Sequence, residues 1–137
     1  MLRTRFRAQP FVDKRPSHYR MHRLIDGGQW HPSVHRYEEL GRAERESITK
    51  LDFPWVGKVS LADFLAYVDD DVLGLLGPLR MEGGRLRAPY VGVRADRRRH
   101  GIGTALWRSA FTLTSGVIEL TAEAVNRTFY ESLGFDS

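Results

Sequence analysis

Apolar and polar residues follow two different periods along this chain, and the switches between them mark its elements. Leu2, Thr4, Phe6 and Ala8 alternate with Arg3, Arg5 and Arg7, which predicts a strand with one apolar and one basic face. Pro10 and Pro16 bracket a loop, and residues 18–26 suit a short helix stopped by Gly27-Gly28. Ser33 is placed to cap a longer helix running to about Leu51, with Tyr37, Leu40 and Ile48 on its apolar stripe and Pro54 beyond its end. Residues 61–68 and 72–81 predict two strands joined by the turn Asp69-Asp70-Asp71. Gly83-Gly84 makes the next turn, and residues 86–93 form a further strand interrupted by Pro89, which marks an edge or a bulge. A helix begins near Gly101 and turns Ile102, Ala105, Leu106 and Ala110 inward until Ser115-Gly116. A strand over residues 117–122 and a short helix over residues 126–133 complete the order. Strand, two helices, three strands, helix, strand and helix make a mixed α/β pattern.

Composition narrows the chemistry. At 137 residues the chain is read as one domain, 1–137, large enough for a core. Its formal charge of +4 favours acidic partners, a phosphate-bearing ligand or nucleic acid. It has no cysteine, which excludes disulfides, thiolate-held metals and cysteine nucleophiles. No apolar run approaches membrane-spanning length, and the basic start is not followed by the apolar core of a secretory signal, so a cytoplasmic location is the default expectation.

The segment from Val93 to Leu106 is the most informative. An apolar strand ends, a turn dense in arginine follows, and Gly101 and Gly103 open a helix. The first amides of a helix lack partners within it, and their dipoles sum to a partial positive charge. Glycine lets a ligand approach the main chain, so this is an anion site suited to a phosphate or pyrophosphate. It is not a P-loop, since no Lys-Ser/Thr pair follows the glycines, and Leu106 stands where a dinucleotide fold needs its third glycine. Arg98-Arg99-His100-Gly101-Ile102-Gly103 instead resembles the Arg/Gln-x-x-Gly-x-Gly/Ala signature of the GCN5-related N-acetyltransferase (GNAT) family, with Val93 five residues upstream as in that family. Leu120, Ala122, Asn126 and then Phe129-Tyr130-Glu131-Ser132-Leu133-Gly134-Phe135 resemble its later strand–helix block. Together the two blocks extend the resemblance over roughly residues 60–135.

The resemblance implies a fold and a reaction. The fold is mixed α/β, a central, mostly antiparallel sheet flanked by helices, here lacking the last strand or strands. Residues 1–59 would form the acceptor side and residues 60–137 the acetyl-CoA-binding core. The reaction is direct transfer of an acetyl group from acetyl-CoA to a primary amine. Backbone groups of Val91 and Val93 would hold the pantetheine arm. Arg98, Arg99, His100, Gly101, Ile102, Gly103 and Thr104 would meet the diphosphate, with Arg97 also available to a ribose phosphate. Asn126 would orient the acetyl or pantetheine end. Tyr130 matches the general acid toward the leaving thiolate; a phenol, with an ordinary pKa of about 10, holds its proton at neutral pH.

Three departures bear on this. Many relatives carry a glutamate base where Arg87 stands, so Glu119 and Glu123, with Tyr90 and His100, are the candidates for the base. Asn126 and Tyr130 lie about a turn closer together than in relatives. The chain stops at Ser137, where relatives continue, which predicts truncation or a wall supplied by the N-terminal segment or by a second copy in a homodimer. A non-catalytic binding module on the same fold, using the basic N-terminal segment toward nucleic acid or a protein, is the alternative. The pairs His18/His22 and His31/His35 have helix-face spacing suited to zinc, but Pro32 interrupts the second, and no metal is expected. Trp30, Trp55 and Trp107 are expected to anchor packing.

Overall fold

The computed structural model describes residues 16–21, 28–114, 117–123 and 126–135. The strand expected over residues 2–8 lies outside them. Strands run at Pro16–Met21 (β1), Val34–Arg36 (β2), Leu65–Asp69 (β3), Asp71–Gly77 (β4), Arg80–Glu82 (β5), Arg85–Arg87 (β6), Tyr90–Val93 (β7) and Val117–Glu123 (β8). Helices run at Arg42–Ser47 (α1), Ile102–Phe111 (α2) and Arg127–Ser132 (α3). Among the described residues the strands form two four-stranded sheets, ordered β1-β8-β6-β5 and β2-β3-β4-β7. Only β6 and β8 pair in parallel; every other described pair is antiparallel.

The chain passes from one sheet to the other at Ala88-Pro89, between β6 and β7. Proline has no amide to donate to a ladder, and here the expected strand over residues 86–93 breaks in two. The same happens at Pro78, which divides the strand expected over residues 72–81 into β4 and β5.

β4 is central. Val72, Leu73, Leu75 and Leu76 are all buried, because both faces of its sheet are covered. One face carries α2, whose Ile102, Leu106, Trp107 and Ala110 join Leu86, Ile118, Leu120, Tyr130 and Phe135 in the larger core. Gly74 sets this approach: a Cβ there would stand 2.9 Å from Ile102 Cγ2 and 3.2 Å from Leu106 Cδ1. The other face is covered by Leu40, Ile48, Leu51 and Phe64, with Phe53 and Trp55 packed beside them.

The amino-terminal half departs from its pattern. Residues 16–21 form β1, antiparallel to β8, so the helix expected over residues 18–26 does not form there. That also removes the helix-face premise for His18 and His22. Residues 33–51 are not one helix. Val34 pairs with Tyr67 as a strand, Tyr37–Glu39 is a 3-10 turn, and α1 begins only after Gly41. The Gly41 N–H donates to Glu44 Oε1 at 2.8 Å, which caps the short helix. Tyr37, Leu40 and Ile48 do pack on one cluster, but from two separate 3-10 turns, on either side of α1, rather than from one stripe. No described helix is long and apolar enough to cross a membrane.

Candidate active site

β7 leads into the arginine-rich turn, and the turn is pinned at its start. The Arg94 guanidinium donates to both Asp96 oxygens, Nε to Oδ1 at 2.7 Å and Nη2 to Oδ2 at 3.1 Å. Its Nη1 also lies 3.9 Å from Asp71 Oδ2, across the β3–β4 turn. This guanidinium holds the Asp96 carboxyl below the usual carboxylate range. The backbone then turns twice through the left-handed region, at Arg99 (φ 67°) and at Gly101 (φ 79°). Gly101 is the residue before α2, and a Cβ built on it would find no atom within 4 Å.

The first amide of α2 to bond back along the helix is that of Ala105, to the Gly101 carbonyl at 2.9 Å. The amides of Ile102, Gly103 and Thr104 therefore head the helix without an intrahelical acceptor, where the dipole favours an anion. Arg98, Arg99 and His100 are exposed beside them and make no ion pair among the described residues. Thr104 is half-buried. Gly103 is closed on one side: a Cβ there would stand 3.2 Å from Phe129 Cζ and 3.9 Å from Val93 Cγ2. The mouth is thus bounded by Phe129 and open at Gly101.

A strand edge leads to this mouth. The Arg94 N–H donates to the Leu73 carbonyl at 2.8 Å, and Gly92 faces Leu75 in the same register. Bonded and non-bonded pairs alternate along an antiparallel ladder. Val91 and Val93 are therefore the non-bonded positions, and their amides and carbonyls face away from β4. That edge of β7 is unpaired among the described residues. β8 in turn pairs with β6 only through Glu119, opposite Arg87. From Ala88-Pro89 onward the two sheets part, leaving a wedge between β7 and the second half of β8.

At the vertex of this wedge lies a cavity of about 340 Å³ whose walls include Arg80, Arg87, Pro89, Glu119 and Thr121. Glu119 alternates with the buried Ile118 and Leu120, so it lies on the sheet face away from the α2 core. Its side chain is 13% exposed and pairs with Arg85 Nη1 at 3.0 Å. Arg87 lies 3.8 Å from Glu82 Oε2. Of the other base candidates, Tyr90 stacks on Trp55 at 5.2 Å, His100 stands at the mouth, and Glu123 ends β8 opposite Pro16. Tyr130 is 2% exposed, edge-on to Trp107 and Phe135 with ring centroids 6.2 and 5.9 Å away. Asn126 is the exposed residue before α3. Gly134 (φ 102°) turns the chain so that the Phe135 N–H reaches the Tyr130 carbonyl at 3.1 Å, and Phe135 seals the core.

Wedge, mouth and vertex cavity all draw on residues within 60–137. The edge of β7 and the α2 mouth are brought together; Glu119 stands at the vertex instead. Two features were missed by sequence reasoning. Phe53, Trp55 and Tyr90 stack in line on the far face of β7, and the signal was Gly92, where a Cβ would come 2.6 Å from the Phe53 ring. The turn read at Gly83-Gly84 joins β5 to β6; what was missed is the charge pairing across it, Arg80 and Glu82 opposite Arg87 and Arg85, whose signal was the charges alternating on either side of the turn. Trp107 is fully buried, and Trp30 and Trp55 pack against the two cores, as packing anchors would. His31 Nδ1 accepts the Ser33 N–H at 3.0 Å, and His35 lies 3.7 Å from Glu39. No group of three His, Asp or Glu side chains among the described residues is placed to hold a metal ion.

Comparison with known proteins converges on the same elements. The sequence model of the acetyltransferase (GNAT) domain matches residues 61–137, from just before β3 to the end of the chain. No curated protein matches the chain. Among solved structures, a GCN5-related N-acetyltransferase from Sphaerobacter thermophilus superposes with a TM-score of 0.61 at 18% identity, over 98% of this chain and 52% of its own. A GNAT-family protein from Novosphingobium aromaticivorans gives 0.60 at 20% identity, over 90% of this chain and 60% of its own. At these identities the likeness concerns the fold, and the chain spans between half and two thirds of the structures it matches.

Proposed function

The chain belongs to the GNAT acetyltransferase family, and from that premise we propose that it moves an acetyl group from acetyl-CoA directly to a primary amine. The observation that carries this reading is the open, glycine-lined mouth of α2 at the end of a strand edge whose free amides and carbonyls belong to Val91 and Val93. A pantetheine arm is an extended chain of amides, and adding it to a free edge satisfies both partners. A diphosphate then falls at the amides of Gly101, Ile102, Gly103 and Thr104, with Arg98, Arg99 and His100 as charged neighbours.

The roles are those the family resemblance implies, with the vertex position of Glu119 in support of one of them. The wedge orients the thioester toward the vertex, where Glu119 lies. Glu119 accepts the proton lost by the attacking amine, with Glu123 as the second candidate further along β8. The amine nitrogen bonds to the carbonyl carbon, the carbon–sulfur bond breaks, and Tyr130 returns a proton to sulfur. Asn126 orients the acetyl or pantetheine end from the start of α3. A backbone amide near Val93 polarises the carbonyl as charge develops on its oxygen.

Calorimetric titration with acetyl-CoA, followed by release of free thiol in the presence of primary amines, tests the reading. Saturable heat together with amine-dependent thiol release supports it. Saturable heat without acetyl transfer to any amine would instead favour the binding module, a reading motivated by Arg87 at the position where relatives carry a glutamate.

A further inference from the structure

The vertex cavity carries an unusual charge pattern. Arg80 and Arg87 are direct cross-strand partners in the β5–β6 hairpin, and both line the cavity. Like charges directly opposite each other destabilise a strand pair. Their neighbours only partly offset this. Glu82 serves Arg87 at 3.8 Å, and Arg85 serves Glu119 at 3.0 Å. Arg80 makes no ion pair among the described residues. By register the same face also carries Arg20 opposite Glu119 and Glu123 at the end of β8, and of the two arginines at the cavity wall Arg80 is the one without an ion pair among the described residues. Beside it, across β6, stands Glu119 in register with Arg87. A cation pair next to a carboxylate is complementary to a ligand carrying an anion next to an ammonium.

We infer that the acceptor is a small zwitterion, a primary amine that also bears a carboxylate, and that Arg80 and Arg87 clamp the carboxylate. This rests on the acetyl-transfer reading and names its substrate class. Guanidinium groups bind carboxylates through paired, charge-assisted hydrogen bonds, and an anion between Arg80 and Arg87 relieves their repulsion. The ammonium end then lies toward Glu119. Its proton passes to the Glu119 carboxylate, and the neutral nitrogen bonds to the thioester carbonyl carbon. The carbon–sulfur bond breaks, and its electron pair leaves with sulfur, which takes the Tyr130 proton; the second nitrogen proton is released as the amide forms and restores the Tyr130 phenol, while Glu119 returns its proton to solvent. The products are an N-acetylated acid and a free thiol. A volume of about 340 Å³ has room for a small zwitterion such as a free amino acid.

The test compares free amino acids with their matching amino acid amides as acceptors, at saturating acetyl-CoA, by thiol release. Amino acids should exceed their amides in kcat/KM by about tenfold or more, the range for a hydrogen bond to a charged group. Arg80→Ala should raise KM for the acid about tenfold, leave KM for the amide and for acetyl-CoA unchanged, and largely spare kcat; Arg80→Lys should restore part of the preference. Equal use of acid and amide, or exclusive use of amines without a carboxylate, overturns the assignment. So does an Arg80→Ala variant that slows both acceptors alike. Calorimetry with acetyl-CoA separates the two levels: no binding removes the acetyl-transfer reading itself, whereas binding and turnover without carboxylate preference removes only the substrate class.

Discussion

The two ends of β7 present two sites made of different material. At its far end, past Val93, the α2 mouth is built from main chain: three amides, a left-handed Gly101 and an open approach. At its near end, before Tyr90, the vertex cavity is built from side chains on β5, β6 and β8. The first has the same chemistry whatever residues surround it, so it suits the invariant part of a substrate. The second is defined by Arg80, Arg87 and Glu119, so it suits the part that distinguishes one substrate from another. The difference teaches where to expect sensitivity: mutations at the mouth act through backbone geometry, and mutations at the vertex act through charge.

The deepest perturbation removes the support both ends share. Trp107, on the inner face of α2, is fully buried against Tyr130 and Phe135. Trp107→Ala should cost about 3–5 kcal/mol in urea unfolding, and mouth and vertex should fail together. Retained stability would mean that the core beneath α2 contributes little. Next, Tyr130→Phe separates chemistry from binding. Acetyl transfer should fall about a hundredfold, in the range for a lost general acid, while acetyl-CoA affinity and unfolding stay near wild type. An unchanged rate would remove Tyr130 from the chemistry and leave it as core.

How much of this was legible follows the same division. The α2 mouth lies in one short stretch of sequence, so Gly101, Gly103 and the arginine run announce it locally. Ile102, Leu106 and Ala110 likewise fixed the buried face of α2 by their spacing. The vertex joins residues 80, 87 and 119, and it exists only because Pro78 and Pro89 divide strands that hydrophobicity alone runs together. The amino-terminal half was least legible. Val34 joins a sheet through its pairing with Tyr67, a contact over a long sequence separation, and this overrides the helical spacing of Tyr37, Leu40 and Ile48. Gly41 held the local signal for the true helix start. The stack of Phe53, Trp55 and Tyr90 gave no periodic signal, because Phe53 and Trp55 come from an irregular segment.

Smaller changes sharpen the contrast. Gly74→Val should push α2 away from β4, costing about 1–3 kcal/mol by overpacking and weakening acetyl-CoA binding more than it alters acceptor preference. Wild-type affinity in that variant would show that the mouth tolerates displacement of its helix. Arg98→Ala combined with Arg99→Ala should weaken acetyl-CoA binding about tenfold at low salt, and the loss should shrink as ionic strength rises, since these groups are exposed. A loss independent of salt would point to a structural role for Arg99 in its left-handed turn.

The smallest effect concerns the pinned turn. The folded protein lowers the Asp96 carboxyl below its ordinary range, so the Arg94–Asp96 pair contributes stability above the ordinary carboxylate pKa. That contribution falls away as pH drops through the lowered value. Thermal midpoints of wild type and Asp96→Asn should therefore differ at neutral pH and converge in acid. A difference that persists in acid would show that Asp96 acts through something other than its charge.

The claim on which the rest depends is that main-chain amides at the start of α2 bind the coenzyme's diphosphate. Amide NMR shifts followed during titration with CoA test it at the atoms concerned. The account predicts saturable shifts centred on Gly101, Ile102, Gly103 and Thr104, with Val91 and Val93 following along the β7 edge. Unmoved amides at those positions, in a folded sample carrying excess CoA, would contradict it.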